Sequence, residues 1–147
     1  MGFSTALFSN AKSVFDVVRK KHVTATPEEK IRQLVVRYLI EKKYFPRSLL
    51  GVEVSLSVNR MQKRCDILAY KDSLPIMIVE CKSPDIKLDE EVFDQIVTYN
   101  MKYKVPYLVV TNGMHHYACK IIDYQAMNWD YLLVIPLYED LLTSPVL

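Results

Sequence analysis

The apolar positions along the chain change period several times, and each change marks an element. From Thr26 onward, Ile31, Leu34, Val35, Tyr38 and Leu39 recur at helical spacing to about Lys43. Thr26 suits the N-cap, Pro27 the first helical position, and Glu29 stands where a capping-box acid would. After Phe45-Pro46, Val52, Val54 and Leu56 alternate with Glu53, Ser55 and Ser57, which predicts a strand with one wet face. The polar stretch from Asn59 to Lys63 predicts a turn. Residues 65–70 and 75–81 then form two apolar runs joined by Lys71-Asp72-Ser73, a link short enough to imply an antiparallel hairpin. Ser83-Pro84 closes the second run, because proline restricts the residue before it and cannot donate to a ladder.

Between Asp89 and about Tyr103, Val92, Phe93, Ile96, Val97 and Asn100 give a second amphipathic helix. VPYLVVT is a buried strand, and the Asn112-Gly113 turn leads into HHYACKII as another. The opening residues to about Val23 suit a short helix, or an extended piece in FDVVRKKHV. WDYLLVIPLYEDLL mixes both periods and predicts a packed closing element of open type. The order of helix, three strands, helix and two strands predicts the α/β class, a mixed sheet of about five strands flanked by helices. At 147 residues the chain, 1–147, suits a single domain with a real core.

Composition narrows the reading modestly. With 50% hydrophobic and 24% charged residues, the chain is neither disordered nor fibrous in character. A net charge of +2 is too small to argue for a nucleic-acid partner, so any basic site must be local. Cys65, Cys81 and Cys119 make no zinc-site spacing and no disulfide framework, which fits a reducing, cytoplasmic setting. The first residues, MGFSTALFSNAKSVFDVVRKK, carry their positive charges after the apolar positions, and Ala6 stands where a myristoylation signal prefers Ser or Thr. Apolar runs fall well short of the roughly 20 residues needed to span a bilayer. Neither an export signal, a lipid anchor nor a membrane partner is expected.

Candidate chemistry gathers at the end of the hairpin. Glu80 and Lys82, at i and i+2 on a strand, share a face while Cys81 points away. Asp66 begins the preceding strand at the hairpin's open end, opposite the Glu80 end. Bringing two carboxylates within about 4 Å costs on the order of 4 kcal/mol at an effective dielectric near 20. A divalent cation offsets that cost, and Mg²⁺ is commonly held by one or two carboxylates while keeping waters. An ammonium beside it can act on the attacking water or on developing phosphate charge. The plainer alternative is an exposed Glu-x-Lys ion pair at a strand end, worth roughly 0 to 1 kcal/mol.

The wider pattern is more specific than the triplet. Asp66, thirteen intervening residues, Glu80-Cys81-Lys82, and a following helix with Gln95 and Tyr99 together resemble the PD-(D/E)XK nuclease superfamily. PEEKIRQ, KRCDI, IVECKSP, QIVTYN and LVVTNG resemble, in order, the N-terminal nuclease domain of the restriction subunit of type I restriction-modification enzymes, over about residues 16–122. The resemblance implies a restriction-endonuclease-like fold and a Mg²⁺-dependent endonuclease acting on DNA, with Mn²⁺ as a substitute. It implies Asp66, Glu80 and the Cys81 backbone carbonyl as metal ligands, Lys82 acting on water or phosphate charge, and Gln95 and Tyr99 positioning the site and the nucleic-acid backbone. Their spacing of four puts both on one helix face. Cys65 departs from the pattern, standing where the superfamily's name has proline.

Other residues have two readings each. Glu29 resembles the first-helix acid that reaches toward the metal in such nucleases, and a capping box accounts for it equally. Tyr99 suits a core position as well as a site. His115 and His116 follow a tight turn and suit strand positions better than catalysis. Arg19-Lys20-Lys21, Arg60 and Lys63-Arg64 form either a phosphate-contacting rim or solvated faces. The expected partners are DNA and, by resemblance, other restriction-system subunits or a second copy of the chain. Restriction subunits of this kind carry an ATP-driven translocase after the nuclease domain, but this sequence contains no G-x-x-x-x-G-K-[ST] phosphate loop. Without a base-reading motif, contacts to the DNA backbone should dominate. A function of another class, a nucleic-acid-binding or partner-docking module that keeps the fold without turnover, uses the same residues.

Overall fold

The computed structural model describes residues 11–142. Of the stretch that carries the expectation about export signals and lipid anchors, residues 1–10, Ala6 included, lie outside them. The described chain opens on a hairpin of β1 (Ser13–Asp16) and β2 (Lys21–Thr24), so the extended alternative holds for this segment. Helix α1 (Pro27–Lys42) starts where the capping residues predict, with the Thr26 hydroxyl accepting the Glu29 N–H at 3.1 Å. Its buried side is broader than the apolar spacing suggests. Ile31, Val35, Val36 and Leu39 lie in the core, and so do Arg32 and Gln33.

Six strands make the main sheet, in the order β3 (Leu50–Val58), β4 (Met61–Lys71), β5 (Leu74–Cys81), β6 (Tyr107–Thr111), β7 (His116–Asp123) and β8 (Asn128–Leu132). All neighbours are antiparallel except β5 and β6, which run parallel across the connection that carries α2 (Glu90–Asn100). The sheet therefore has one strand more than the expected five, and a two-stranded sheet stands beside it. The extra strand comes from the closing segment, whose mixed period resolves into β8 and a short α3 (Tyr138–Leu142). The turn predicted over 59–63 is shorter than expected. Asn59 and Arg60 both take positive φ, 50° and 67°, so the chain reverses in two residues and Met61–Lys63 join β4. Asp72 and Ser73, with φ of 51° and 65°, close the β4–β5 hairpin in the same way.

Each face of the sheet carries its own core. On one side α1 packs Ile31, Val35, Val36 and Leu39 against Ile67, Met77, Val79 and Val109. On the other, α2 packs Phe93 and Val97 against Leu68, Ile78, Leu108, Val110 and Cys119. β5 and β6 are buried on both faces, which is why they read as continuous apolar runs. Phe93 stacks on Tyr117 at 5.4 Å, and Asp94 accepts a hydrogen bond from Tyr131, so the N-terminal half of α2 lies over β7 and β8. No described helix is long and apolar enough to cross a membrane.

Candidate functional site

A local break in the β3–β4 ladder shapes the site. Val52 pairs with Ile67 and Val54 with Cys65, but the intervening Glu53 and Asp66 are skipped. Glu53 has φ of 55°, a left-handed conformation that costs a non-glycine residue about 1–3 kcal/mol. The face alternation changes across this pair in both strands. Leu50, Val52 and Ile67 belong to the α1-side core, whereas Val54, Leu56 and Cys65 pack on the α2 side. Glu53 and Asp66 are thereby freed from the regular pattern.

Asp66 uses that freedom to meet α1 and the end of β5. Its Oδ2 accepts the Cys81 N–H at 2.8 Å, and its Oδ1 lies 2.7 Å from Arg32 Nη2. The same Nη2 is 2.7 Å from Glu53 Oε1, and Arg32 Nη1 is 2.9 Å from Glu29 Oε2. One guanidinium thus joins carboxylates from α1, β3 and β4. Beyond it, Arg19 binds Glu29 and Asp16, Gln33 donates to both of those acids, and Arg64 binds Glu53 at 2.9 Å. Burial disfavours the charge on Arg32, but Asp66, Glu29 and Glu53 more than compensate and hold it protonated.

Glu80 is anchored from the opposite layer. Its Oε1 accepts from Lys63 Nζ at 2.5 Å and from Asn100 Nδ2 at 3.1 Å, and its Oε2 is 3.7 Å from Lys82 Nζ. Burial pushes its carboxyl pKa up, but the Lys63 hydrogen bond and charge, with Asn100 and Lys82, bring it below the usual carboxylate value. Lys82 donates its backbone N–H to Thr111 O at 2.7 Å, which ties the position to β6, and its side chain stays partly exposed. Since Ile67 pairs with Val79, Asp66 and Glu80 flank the point where β4 leaves β5.

The predicted residues are only partly brought together. Asp66, Glu80, Cys81 and Lys82 lie about this point, Asp66 bound to the Cys81 N–H and held from the α1 layer and Glu80 held from the α2 layer, and Glu29 is tied to Asp66 through Arg32. Glu29 completes only half of a capping box: its N–H binds Thr26, but its carboxylate turns to Arg19, Arg32 and Gln33. Gln95 is exposed and lines a shallow groove with Glu90, Glu91, Asp94 and Thr98, a set that includes neither Asp66 nor Glu80. It lies on the far side of α2 from Phe93, Val97 and Asn100, which are the buried residues of that helix. Tyr99 is 52% exposed and so is not core; the Lys102 ammonium sits 4.0 Å from its ring centre and Lys63 5.5 Å. Lys63 is drawn inward to Glu80 and is mostly buried, because a buried carboxylate needs a countercharge. Arg60 and Arg64 remain on the exposed rim.

Sequence reasoning missed Arg32, Gln33, Glu53 and Asn100 as members of the site. Glu29, Arg32 and Gln33 at i, i+3 and i+4 form a polar stripe on the helix's inner side, and that spacing was the available signal. Asn100 falls on the apolar face of α2, where a buried amide must find partners.

Asp66, Glu80 and the Cys81 carbonyl are hard oxygen donors, the class that Mg²⁺ takes. Among the described residues no three acidic, histidine or cysteine side chains cluster so as to hold a metal by themselves. A Mg²⁺ ion suits such a donor set, because it fills much of its shell with water and phosphate oxygens. The thiols add nothing to it near neutral pH. Burial pushes Cys65 up to about 11 and Cys81 well above the ordinary thiol value.

The family described as type I restriction enzyme R protein N terminus matches residues 27–136, which span α1, α2 and every strand of the main sheet. No curated protein matches the chain.

Proposed function

The chain belongs to the type I restriction enzyme R protein N-terminal family, and from that premise we propose that it is a metal-dependent nuclease of the PD-(D/E)XK kind, hydrolysing DNA phosphodiester bonds. One observation carries the reading: Asp66 and Glu80 flank the splaying end of β4 and β5, with Lys82 beside Glu80. The residues fit Mg²⁺, with Mn²⁺ as a substitute. When bound, the ion supplies charge for the phosphate oxygens and acidifies the attacking water.

The chain's own groups do the rest. Asp66 is fixed in orientation by the Cys81 N–H, and Glu80 by Lys63 and Asn100. Lys82 offers a partly exposed ammonium that orients the nucleophilic water or neutralises charge as it develops on the phosphate. Arg60 and Arg64, exposed near the same end of β4, supply sequence-independent phosphate contacts. Family membership makes DNA the expected substrate and other restriction-system subunits the expected partners.

A second reading is favoured by the engagement of both carboxylates with internal cations, Asp66 with Arg32 and Glu80 with Lys63. In it the domain binds DNA or a partner subunit without turnover. Supercoiled, linear and single-stranded DNA incubated with Mg²⁺, Mn²⁺ or EDTA separates the two. Metal-dependent cleavage lost in both Lys82→Ala and Asp66→Ala is the expected result. Intact DNA with folded protein and retained binding refutes turnover by the isolated chain.

A further inference from the structure

The Arg32 cluster contains more than the proposed chemistry needs. Glu29 has two arginine partners, Arg19 and Arg32, and Glu53 likewise has Arg32 and Arg64. Among the described residues Asp66 has only Arg32, besides the neutral Cys81 N–H. Of the three carboxylates on Arg32, Asp66 therefore has the least countercharge. The contacts also differ in what their loss would leave behind. Arg32 Nη2 is shared between Asp66 and Glu53, while Nη1 serves Glu29. Withdrawing the guanidinium from Asp66 leaves both amino groups with a carboxylate. Withdrawing it from Glu29 strips Nη1 of its acid, and withdrawing it from Glu53 gives up the carboxylate whose backbone is bent to reach the guanidinium.

Two further features point the same way. Arg32 Nε is buried with no acceptor, so its present seat does not use all its donors and a small shift loses nothing there. Glu53 reaches the guanidinium only because its backbone adopts φ of 55° and drops out of the ladder. That distortion is unfavourable for a glutamate, and a strand position alone gives no reason for it. It places a second carboxylate on the guanidinium away from β5.

We propose that Arg32 is an internal cation that yields Asp66 to the divalent ion and stays seated between Glu29 and Glu53. The inference rests on the ion site proposed above. Without the ion, the guanidinium neutralises Asp66 and keeps the seam between β4 and β5 closed to adventitious cations. With it, Asp66 would be the carboxylate released to hold the ion, its Oδ2 already fixed by the Cys81 N–H, while Arg32 would keep Glu29 and Glu53. Arg32 thus sets the affinity of the site as a positioning residue that acts through Asp66.

The test is Mn²⁺ binding by the whole chain without DNA, read by electron paramagnetic resonance of the free ion, for wild type, Arg32→Gln, Arg32→Lys and Asp66→Asn. Arg32→Gln should bind Mn²⁺ at least about tenfold more tightly, because a positive charge beside the site is gone. Arg32→Lys keeps the charge but loses the fork that grips three carboxylates, so it should also bind more tightly than wild type. It serves as well if the glutamine variant does not fold. Asp66→Asn should abolish binding. A merely structural role for Arg32 would loosen the site and weaken binding in its variants. If Asp66→Asn abolishes binding but the Arg32 variants bind no better than wild type, the displacement inference is overturned and the metal site stands. If no protein, the Arg32 variants included, shows Asp66-dependent binding, both fall.

Discussion

Lys63→Met separates a buried countercharge from a DNA-binding residue. Lys63 and Glu80 side chains are each 11% exposed and 2.5 Å apart, so methionine would leave a carboxylate in a mostly desolvated position. Breaking a buried pair by removing one partner costs about 3–5 kcal/mol. Asn100 and the more distant Lys82 remain, which puts the expected loss near ~3 kcal/mol, or roughly 10 °C in melting temperature for a domain of this size. Urea and thermal unfolding at pH 7 measure it. The pH dependence supplies the sign. In the wild type the Glu80 pKa lies below its unfolded value, so its contribution is present above about pH 4.3 and is lost as pH falls through the folded pKa. In the variant, burial dominates and lifts the pKa above the unfolded value, so protonation restores stability and the gap between the proteins narrows from pH 7 toward pH 4. A variant melting within about 2 °C of wild type, or a gap that widens on acidification, refutes the reasoning.

Gly113→Ala meets two obstacles, a φ of 90° and a Cβ that would lie 2.5 Å from Ile31 Cδ1, and should destabilise by about 2–4 kcal/mol in thermal melts. Adding Ile31→Val removes that methyl and should recover only the packing share. Arg60→Ala and Arg64→Ala should melt within about 1 kcal/mol of wild type. Each should lower the slope of log affinity for DNA against log salt by about 1, measured by fluorescence anisotropy. Asp16 is fully buried, and despite that burial its bonds to Arg19, Gln33 and the Val18 N–H hold its pKa below the usual value. Asp16→Asn should cost about 3 kcal/mol at pH 7, and the deficit should shrink as pH drops below about 4, where the wild type loses the same charge.

Local signals and tertiary ones were legible to different degrees. The start of α1 follows from Thr26, Pro27 and the helical spacing, and the β4–β5 hairpin from its short link, because each depends on neighbours in sequence. β8 was hidden because Trp129 and Leu132 are only partly buried on an edge strand, and Ile135 and Leu141 then continue into the core as loop and helix. For the site, residue types and spacing were enough to set Asp66 across from the Glu80 end of β5, although Asp66 lies inside β4 and does not begin it, because Met61–Lys63 extend that strand. Spacing also grouped Gln95 with Tyr99, but it did not say which way that face of α2 points. The buried positions of the helix did: Phe93, Val97 and Asn100 face inward, so Gln95 faces out. The flip at Glu53 and Asp66 leaves no mark in the alternation of β3, where Val52, Val54 and Leu56 look like one face. It depends on a left-handed residue that no glycine or asparagine announces.

That flip gives each carboxylate a separate support, and the separation can be tested. Asp66 is held from the α1 layer by Arg32, and Glu80 from the α2 layer by Asn100 and from β4 by Lys63, and among the described residues no acid is bound by both Arg32 and Lys63. Substitutions that share no partner combine additively within about 0.5 kcal/mol. Arg32→Gln and Lys63→Met should therefore add in unfolding experiments with EDTA. If one divalent ion is held by both carboxylates, saturating Mg²⁺ gives the two layers a common partner, and the double variant should then depart from additivity by more than about 0.5 kcal/mol. Coupling already present with EDTA would mean that the two supports are not independent. Additivity persisting in Mg²⁺, with the ion bound, would mean that Asp66 and Glu80 do not share it.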